Sequence, residues 1–261
     1  MPRSLIVNAD DFGFTRDVNE GVLACHKDGI LTATTLMATG RAFRHAVEIA
    51  QSTPTLDVGC HLVLVHEPGM PPNFPALLAA IALRRVDPHA EFARQVCMIL
   101  KAGLRPTHLD THKHTHLLPP VLAAVLRVSE EFSIPWIRKP ADFARDRAAP
   151  LAQQLTAAAM RFALRGFDRK LAQAGARRTG HFTGFQLTGR LTAETLSETL
   201  STLPEGITEL MCHPGFFREE LAGAATRLKQ SRAEEQRALC SPALRTILDE
   251  GKIQLTRYRE L

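Results

Sequence analysis

The feature that most constrains the fold of this chain is a repeated unit, in which a short apolar segment is followed by an amphipathic segment with helical spacing. In the first unit, the apolar residues 5–7 run into a polar stretch at 8–11, as a short buried strand does where it ends. Thr15 can cap the helix that follows, and Gly29 can close it. This unit therefore predicts one strand and one helix.

The same alternation continues along the chain. We predict further strands at 32–39, 58–65, 107–110, 136–138, 181–185, 207–212 and 253–256, and helices at 43–50, 90–102, 121–132, 151–173, 193–200 and within 225–248. Alternating strands and helices form parallel sheets covered by helices. Because the 261 residues hold seven or eight such units, we expect a single-domain α/β fold, a closed or distorted TIM-like (β/α) barrel.

One segment, 66–88, lacks this periodicity and is rich in proline. Its prolines are Pro68, Pro71, Pro72, Pro75 and Pro88. Long irregular loops in compact domains are often functional. Because the segment directly follows the strand predicted at 58–65, we expect an insertion that could act as a lid over a site.

The composition is that of a globular protein, with 45% hydrophobic and 23% charged residues. The formal net charge of +5 is compatible with an anionic partner, but aromatic residues make up only 6% of the chain. A surface on which nucleic-acid bases stack would have few side chains to form it. We therefore expect no nucleic-acid partner.

The five cysteines are odd in number, widely spaced and without a CxxC pair, so we expect reduced and mostly buried thiols. No charged segment with a long apolar core precedes the first predicted strand. The longest apolar run, 76–83, is too short to cross a bilayer. These observations predict a cytoplasmic protein with no transmembrane segment.

Polar side chains stand at the ends of several predicted strands. Asp10 and Asp11 end the first strand, His61 lies in the third, and His213 ends the strand at 207–212. The carboxyl ends of parallel strands share one face, so these residues can converge there. Adjacent side chains alternate along a regular strand, but a turn at its end would let both carboxylates face one ion. An Asx-turn or a helix cap is an equally good interpretation of the acidic pair alone.

The run THLDTHKHTH at 107–116 is a more specific signal. Its alternate positions, 108, 110, 112, 114 and 116, all carry side chains that can bind metal. If the segment stays extended, these side chains lie on one face. The alternative interpretation is a solvated loop that chelates metal without a function.

Aspartate and histidine without thiolate are ligands for a divalent ion, with Zn²⁺, Mn²⁺, Co²⁺ and Ni²⁺ suited and Mg²⁺ compatible. Three protein ligands leave room for water and substrate. Such an ion lowers the pKa of its water and polarises a carbonyl, while a neighbouring carboxylate can take the proton and an imidazolium can protonate a leaving amine. These are the groups that amide hydrolysis requires.

Four motifs together resemble the YdjC-like carbohydrate deacetylases, a family that includes enzymes acting on chitooligosaccharides and on a glucosaminyl hopanoid. The motifs are, in order, NADDFG at 8–13, GCHL at 59–62, THLDTHKHTH at 107–116 and MCHPG at 211–215. The resemblance spans most of the chain. It implies a (β/α) barrel related to that of polysaccharide deacetylases and an enzyme that removes N-acetyl groups from N-acetylhexosamine units.

The resemblance also implies roles for particular residues. Asp11, His61 and His112 would hold one divalent ion, for which Mg²⁺ or Zn²⁺ are favoured. Asp10 would be the general base, and His213 the general acid or a group that stabilises the transition state. The remaining predicted neighbours, as substrate contacts or supports of the metal ligands, are His114, His116 and Arg138.

The nature of the substrate is left open by the sequence. Met160, Leu164, Phe167 and Leu171 form an apolar helical stripe with basic residues around it, which could rest on an anionic membrane and so favour a lipid-linked substrate. The alternative is a helix packed on the barrel. A homodimer is also compatible with the sequence.

Two other functions remain open from the sequence. A phosphoesterase could use the same metal site, although no glycine-rich phosphate loop supports it and a second ion would be expected. A module that binds metal or sugar without catalysis would use the histidine run only to chelate.

Overall fold

The computed structural model describes residues 2–66, 69–144, 146 and 148–261. Within these residues the chain forms a single sheet of eight parallel strands. The strands are β1 (Arg3–Phe12), β2 (Ala33–Leu36), β3 (Asp57–Leu62), β4 (His108–Thr111), β5 (Trp136–Ile137), β6 (His181–Thr183), β7 (Gly206–Cys212) and β8 (Ile253–Leu255).

Helices connect the strands and cover the outside of the sheet. They are α1 (Arg16–Asp28), α2 (Phe43–Ser52), α3 (Phe74–Ala82), α4 (Pro88–Lys101), α5 (Pro119–Glu131), α6 (Leu151–Ala163), α7 (Phe167–Gln173), α8 (Ala193–Ser201), α9 (Glu219–Gly223), α10 (Gln230–Leu239) and α11 (Ala243–Glu250). Two short 3₁₀ helices span His112–Leu117 and Tyr258–Glu260.

The sheet curls into a distorted barrel. Its strand order is β5-β4-β3-β2-β1-β7-β6, and β8 pairs with the first residues of β1. Isolated bridges link each outer strand to a residue near the other, Trp136 of β5 to Arg177 before β6, and Phe182 of β6 to Asp142 after β5. The apolar residues of β1, β3 and β7 are buried between this barrel and its helices. The predicted α/β barrel is confirmed.

Local sequence signals explain where the helices begin. The hydroxyl of Thr15 accepts a hydrogen bond from the Val18 amide at 3.2 Å and so caps α1, as predicted. Asp87 caps α4 in the same way, through the amides of His89 and Ala90 at 2.9 and 3.2 Å. Each cap satisfies amide groups that the first turn of a helix leaves without partners.

Two predicted segments differ from the structure. The helix predicted at 151–173 is two helices, because Gly166 adopts a positive φ of 78° that ends α6 and starts α7. The prediction of an irregular segment at 66–88 is wrong over Phe74–Ala82, where Asn73 caps α3 and Leu77 is buried. The proposed lid stays a prediction, and two of the residues on which it rests, 67 and 68, lie outside the described residues.

The apolar stripe on α6 and α7 faces the protein rather than solvent. Met160, Leu164, Phe167 and Leu171 are each at most 6% exposed. The interpretation of this stripe as a membrane-facing surface is therefore wrong, and the alternative of a helix packed on the barrel is confirmed. Over the residues that the structure describes, no helix is long and apolar enough to span a membrane.

The cysteines agree with the sequence prediction. All five are free, and three of them are buried. The buried three are Cys25, Cys60 and Cys212.

Candidate active site

The strand ends converge on a cavity of about 700 Å³, as the strand order predicts. The sequence-predicted residues that line it are Asp10, Asp11, His61, His112, His114 and His213. They come from β1, β3, the segment after β4 and the segment after β7. His116 and Arg138, the other two predicted site residues, lie behind this wall, as described below.

A local irregularity in β1 brings the adjacent carboxylates of Asp10 and Asp11 to one cavity. The strand does not end at these residues but continues to Phe12. Its pairing with β2 shifts between Ala9 and Phe12, and Asp11 has a positive φ of 65°. Because a bulge breaks the alternation of side chains, both carboxylates reach the same side. The turn predicted at the strand end is thus a bulge within the strand.

Asp11, His61 and His112 place three possible ligand atoms in a compact triangle. Asp11 Oδ1 lies 3.4 Å from His61 Nε2 and 3.2 Å from His112 Nδ1, and the two histidine nitrogens are 3.3 Å apart. Bonds of about 2.1 Å to a shared ion would separate neighbouring donor atoms by about 3.0 to 3.4 Å. The triangle therefore fits a divalent ion that is bound by one carboxylate and two imidazoles.

Hydrogen bonds fix the orientation of His61. Its Nδ1 lies 2.7 Å from Asp110 Oδ1, which leaves Nε2 for the triangle, and the Thr35 hydroxyl donates to Asp110 Oδ2 at 3.1 Å. Burial alone would lower the pKa of His61, but the surrounding carboxylates outweigh it and raise that pKa to about 10. Burial lowers the pKa of His112, the third member of the triangle. The two histidines thus differ in protonation before an ion binds.

The histidine run does not stay extended, so the condition under which its alternate residues would share one face is not met. The strand ends at Thr111, and a 3₁₀ helix follows in which Lys113 and His114 have positive φ angles of 57° and 53°. Such angles are unusual for residues other than glycine, and they turn the chain sharply. Of the predicted metal-binding positions in the run, the cavity wall includes those at 112 and 114.

The other histidines of the run support the structure. His108 Nε2 lies 2.9 Å from the side-chain oxygen of Asn8, and its ring stacks on Tyr258 at a centroid distance of 3.9 Å. His116 Nδ1 lies 2.6 Å from the Thr111 hydroxyl, and its Nε2 lies 3.0 Å from the Arg138 carbonyl oxygen. His116 is fully buried behind the site. It contacts the backbone of another site residue and not the cavity.

Arg138 is surrounded by three buried carboxylates. Its terminal nitrogens Nη1 and Nη2 each donate to an Asp10 oxygen at 2.7 Å, Nη1 also lies 2.6 Å from Asp110 Oδ2, and Nε donates to Glu209 Oε1 at 2.7 Å. Burial would raise the pKa of Asp10, but the guanidinium outweighs it and holds that pKa well below its usual range. Asp10 is therefore an ionised carboxylate with a fixed orientation.

The same guanidinium fills a second cluster of possible metal ligands. Asp10, His61 and Asp110 also bring three donor atoms together. The two aspartates already accept hydrogen bonds from Arg138, so a second ion there would have to displace a buried cation. Within the described residues, this argues for one ion rather than two.

His213 lies beside the Asp10 carboxylate. Its Nε2 lies 4.0 Å from Asp10 Oδ2, and its backbone amide donates to Glu235 Oε2 at 2.6 Å. Burial lowers the pKa of His213 to about 4. A side chain at Gly21 would place its Cβ 2.4 Å from the Gly215 Cα, so glycine lets α1 pack directly against the loop that carries this histidine.

Two charged residues of α10 were missed by sequence reasoning. Arg232 donates from Nη2 to Asp11 Oδ2 at 2.5 Å, and Glu235 accepts the backbone hydrogen bond of His213. Both side chains are 1% exposed. The sequence SRAEEQR around them is typical of a solvated helix surface, and it contains no signal that these two side chains point inward.

Known proteins resemble the whole chain. A carbohydrate deacetylase from Brevibacillus brevis is 32% identical over 268 residues, covering 98% of this chain and 99% of the relative. A chitooligosaccharide deacetylase from Klebsiella pneumoniae is 30% identical over 274 residues and covers both chains fully. A solved Enterococcus faecalis structure, described as a candidate for cellobiose-phosphate cleavage, superposes with a TM-score of 0.78 at 25% identity, covering 100% and 99% of the two chains.

The family model described as YdjC-like protein matches residues 4–250. That range contains all four motifs and every sequence-predicted residue that lines the cavity. The full-length relatives agree with this assignment. This chain is therefore a hydrolytic enzyme that belongs to the YdjC-like protein family, as its motifs predict.

Proposed function

We propose that this protein removes the acetyl group from an N-acetylhexosamine unit of a saccharide and releases acetate. The observation that supports the proposal is the triangle of Asp11, His61 and His112 with the Asp10 carboxylate directly beside it. The names of the full-length relatives agree with this activity, since they are carbohydrate and chitooligosaccharide deacetylases. We assign the ion to the triangle and the base to Asp10.

The reaction needs one bond to form and one to break. A water oxygen bonds to the acetyl carbonyl carbon while its proton passes to Asp10, and an electron pair moves onto the carbonyl oxygen. The pair then returns as the C–N bond breaks, and the nitrogen leaves as an amine after accepting a proton. A divalent ion held by the triangle would acidify the water and polarise the carbonyl. Asp10, with its strongly lowered pKa, depends on that acidity to accept the proton.

His213 is the proposed proton donor to the departing nitrogen. At neutral pH its pKa of about 4 leaves the imidazole uncharged, so it must gain a proton during the reaction. Asp10 Oδ2 lies 4.0 Å from His213 Nε2, close enough for the proton taken from water to pass on with a small movement. This supports a division of labour in which Asp10 accepts the proton and His213 delivers it.

The identity of the ion follows only in part from the ligands. One carboxylate and two imidazoles favour Zn²⁺ over Mg²⁺, and they are also compatible with Mn²⁺, Co²⁺ and Ni²⁺. We propose a single ion per chain, because Arg138 holds the second cluster of carboxylates. This also disfavours the alternative of a phosphoesterase with two ions.

A lipid-linked saccharide is a second substrate class that one observation favours. Leu151, Leu155 and Phe162 on α6 are 70%, 63% and 66% exposed, and other residues of the same helix line the cavity. Exposed apolar side chains beside a cavity can rest on a membrane surface. In a vesicle flotation assay, Leu155→Ser with Phe162→Ser should reduce binding to anionic vesicles, whereas Leu100→Ser, at a residue of α4 that is 40% exposed, should not. No flotation of the unmodified protein would exclude this class of contact.

The proposed function is tested by measuring acetate release from N-acetylglucosamine oligomers and from lipid-linked N-acetylglucosamine. The protein is first stripped with a chelator and then reloaded with each divalent ion in turn. We expect no release without an ion, release with at least one ion, and one bound ion per chain. Ion binding at many weak sites without acetate release would instead support a chelating module.

The cytoplasmic location and the homodimer stay predictions.

A further inference from the structure

Arg232 has an unusual position for a charged residue. It is the largest side chain in the described structure that is fully buried, and it lines the same cavity as the ligand triangle. Its Nε donates to the Leu228 carbonyl oxygen at 3.2 Å, and its Nη2 donates to Asp11 Oδ2. The remaining nitrogen, Nη1, is buried and has no hydrogen-bond partner among the described residues.

A buried N–H group without an acceptor is rare, because its lost hydration is not replaced. The carboxylates nearest to Arg232 are already engaged. Asp11 uses Oδ2 for Nη2 and Oδ1 for the triangle, and both oxygens of Glu235 accept backbone hydrogen bonds, from His213 and Gly189. The residues that the structure describes therefore supply no acceptor for Nη1, which points to an acceptor that arrives in the cavity.

The position of Arg232 limits what this acceptor can be. Nη1 and Nη2 are bonded to the same planar carbon, so Nη1 belongs to the guanidinium group that pairs with Asp11, a member of the triangle, and that lines the cavity. In a deacetylation, the part of the substrate beside the triangle is the acetyl group, whereas the rest of the sugar extends away from it. The oxygen within reach of Nη1 is then the acetyl oxygen.

We propose that Arg232 is a catalytic residue whose Nη1 donates a hydrogen bond to the acyl oxygen of the substrate, and to a carboxylate oxygen of the acetate product. This inference rests on the proposed function. The contact strengthens as negative charge develops on that oxygen during attack by water, so it acts mainly on the transition state. Its pairing with Asp11 holds the guanidinium in place before substrate binds.

The test uses Arg232→Lys in the metal-reloaded protein. Lysine keeps the charge and can still pair with Asp11, but it lacks the second terminal nitrogen. We expect kcat for acetate release to fall about 100-fold with KM within about threefold, as for other lost oxyanion donors. Calorimetry should show about tenfold weaker acetate binding and metal affinity within about threefold. Arg237→Lys, on the exposed side of the same helix, is the matched control and should match the unmodified protein.

Each outcome decides the proposal. Unchanged kcat and acetate binding in Arg232→Lys, with an active unmodified protein, would overturn the inference and leave the proposed function standing. A tenfold or greater loss of metal affinity would show that Arg232 acts through Asp11, which also overturns it. If the lysine variant does not fold, Arg232→Gln provides the same readouts. Absence of acetate release from the unmodified protein would remove the proposed function and this inference together.

Discussion

Asp10 and Asp11 are neighbours in the chain, but the two sides of the cavity neutralise them differently. Arg138, beside Asp10, is enclosed by three carboxylates and leaves that aspartate tightly held. Arg232, beside Asp11, contacts one carboxylate oxygen and keeps one donor, Nη1, without a partner among the described residues. The Asp10 side is a closed network of charges, whereas the Asp11 side carries the ligand triangle and this unpartnered donor. One bulge in β1 is enough to send adjacent carboxylates into these two environments.

The largest effect should separate the two carboxylates by function. Asp10→Asn should lower kcat for acetate release by about 10³-fold, because the amide cannot accept the proton, while metal affinity changes by less than about threefold. Asp11→Asn should instead lose the ion, as should His61→Ala and His112→Ala. Acetate release and metal titration check all four variants, with Asp249→Asn on the surface as control. Full activity of Asp10→Asn would exclude it as the base.

The next effect concerns stability on the Asp10 side. Arg138→Met leaves three buried carboxylates without their shared cation, so we expect the free energy of unfolding to fall by about 3 to 5 kcal/mol. Urea denaturation measures this loss. Arg127→Met, at an exposed position on α5, should change the free energy of unfolding by less than about 0.5 kcal/mol. Equal, small effects in the two variants would show that the network contributes little to stability.

A smaller effect should appear where the two sides meet. Asp110 holds His61 through Nδ1 and also contacts Arg138. Asp110→Asn should weaken metal affinity by about 10- to 100-fold, because the orientation of the ligand histidine is less firmly fixed. Calorimetric titration with Zn²⁺ measures the change in affinity, with Asp249→Asn as the surface control. Unaltered affinity would mean that packing alone orients the ring.

The smallest effect is a pH dependence of metal affinity at the triangle that contains Asp11. In the metal-free protein the pKa of His61 is about 10, so the ring carries a proton at neutral pH and must lose it to bind an ion. Burial lowers the pKa of His112, so this second ring is neutral at neutral pH and has no proton to lose. Metal affinity should therefore rise by about tenfold from pH 7 to pH 8, with one proton released. Affinity that stays flat over this range would contradict the raised pKa.

The described fold follows closely from the sequence, but the conformation of the histidine run does not. The alternation of apolar segments and helical periodicity is local, so it predicted the strands that bring the four motifs to one face. The alternate residues of 107–116 would share one face only if the run stayed extended, but the chain turns at Lys113 and His114, which have positive φ angles. Lysine rarely adopts that conformation, and histidine adopts it only in a small minority of cases, so residue type alone does not predict it. Packing around the 3₁₀ helix decides it.

By itself, the sequence determined the order of strands and helices, the motifs of the family and the residues with the chemistry to bind an ion. These depend on side-chain periodicity and residue type, which are properties of short stretches of chain. Only the tertiary structure decided that Arg138 pairs with Asp10 and Arg232 with Asp11, because these contacts join residues more than 100 positions apart. A charged helix such as α10 looks solvated in sequence, and burial of Arg232 requires a partner that only folding supplies.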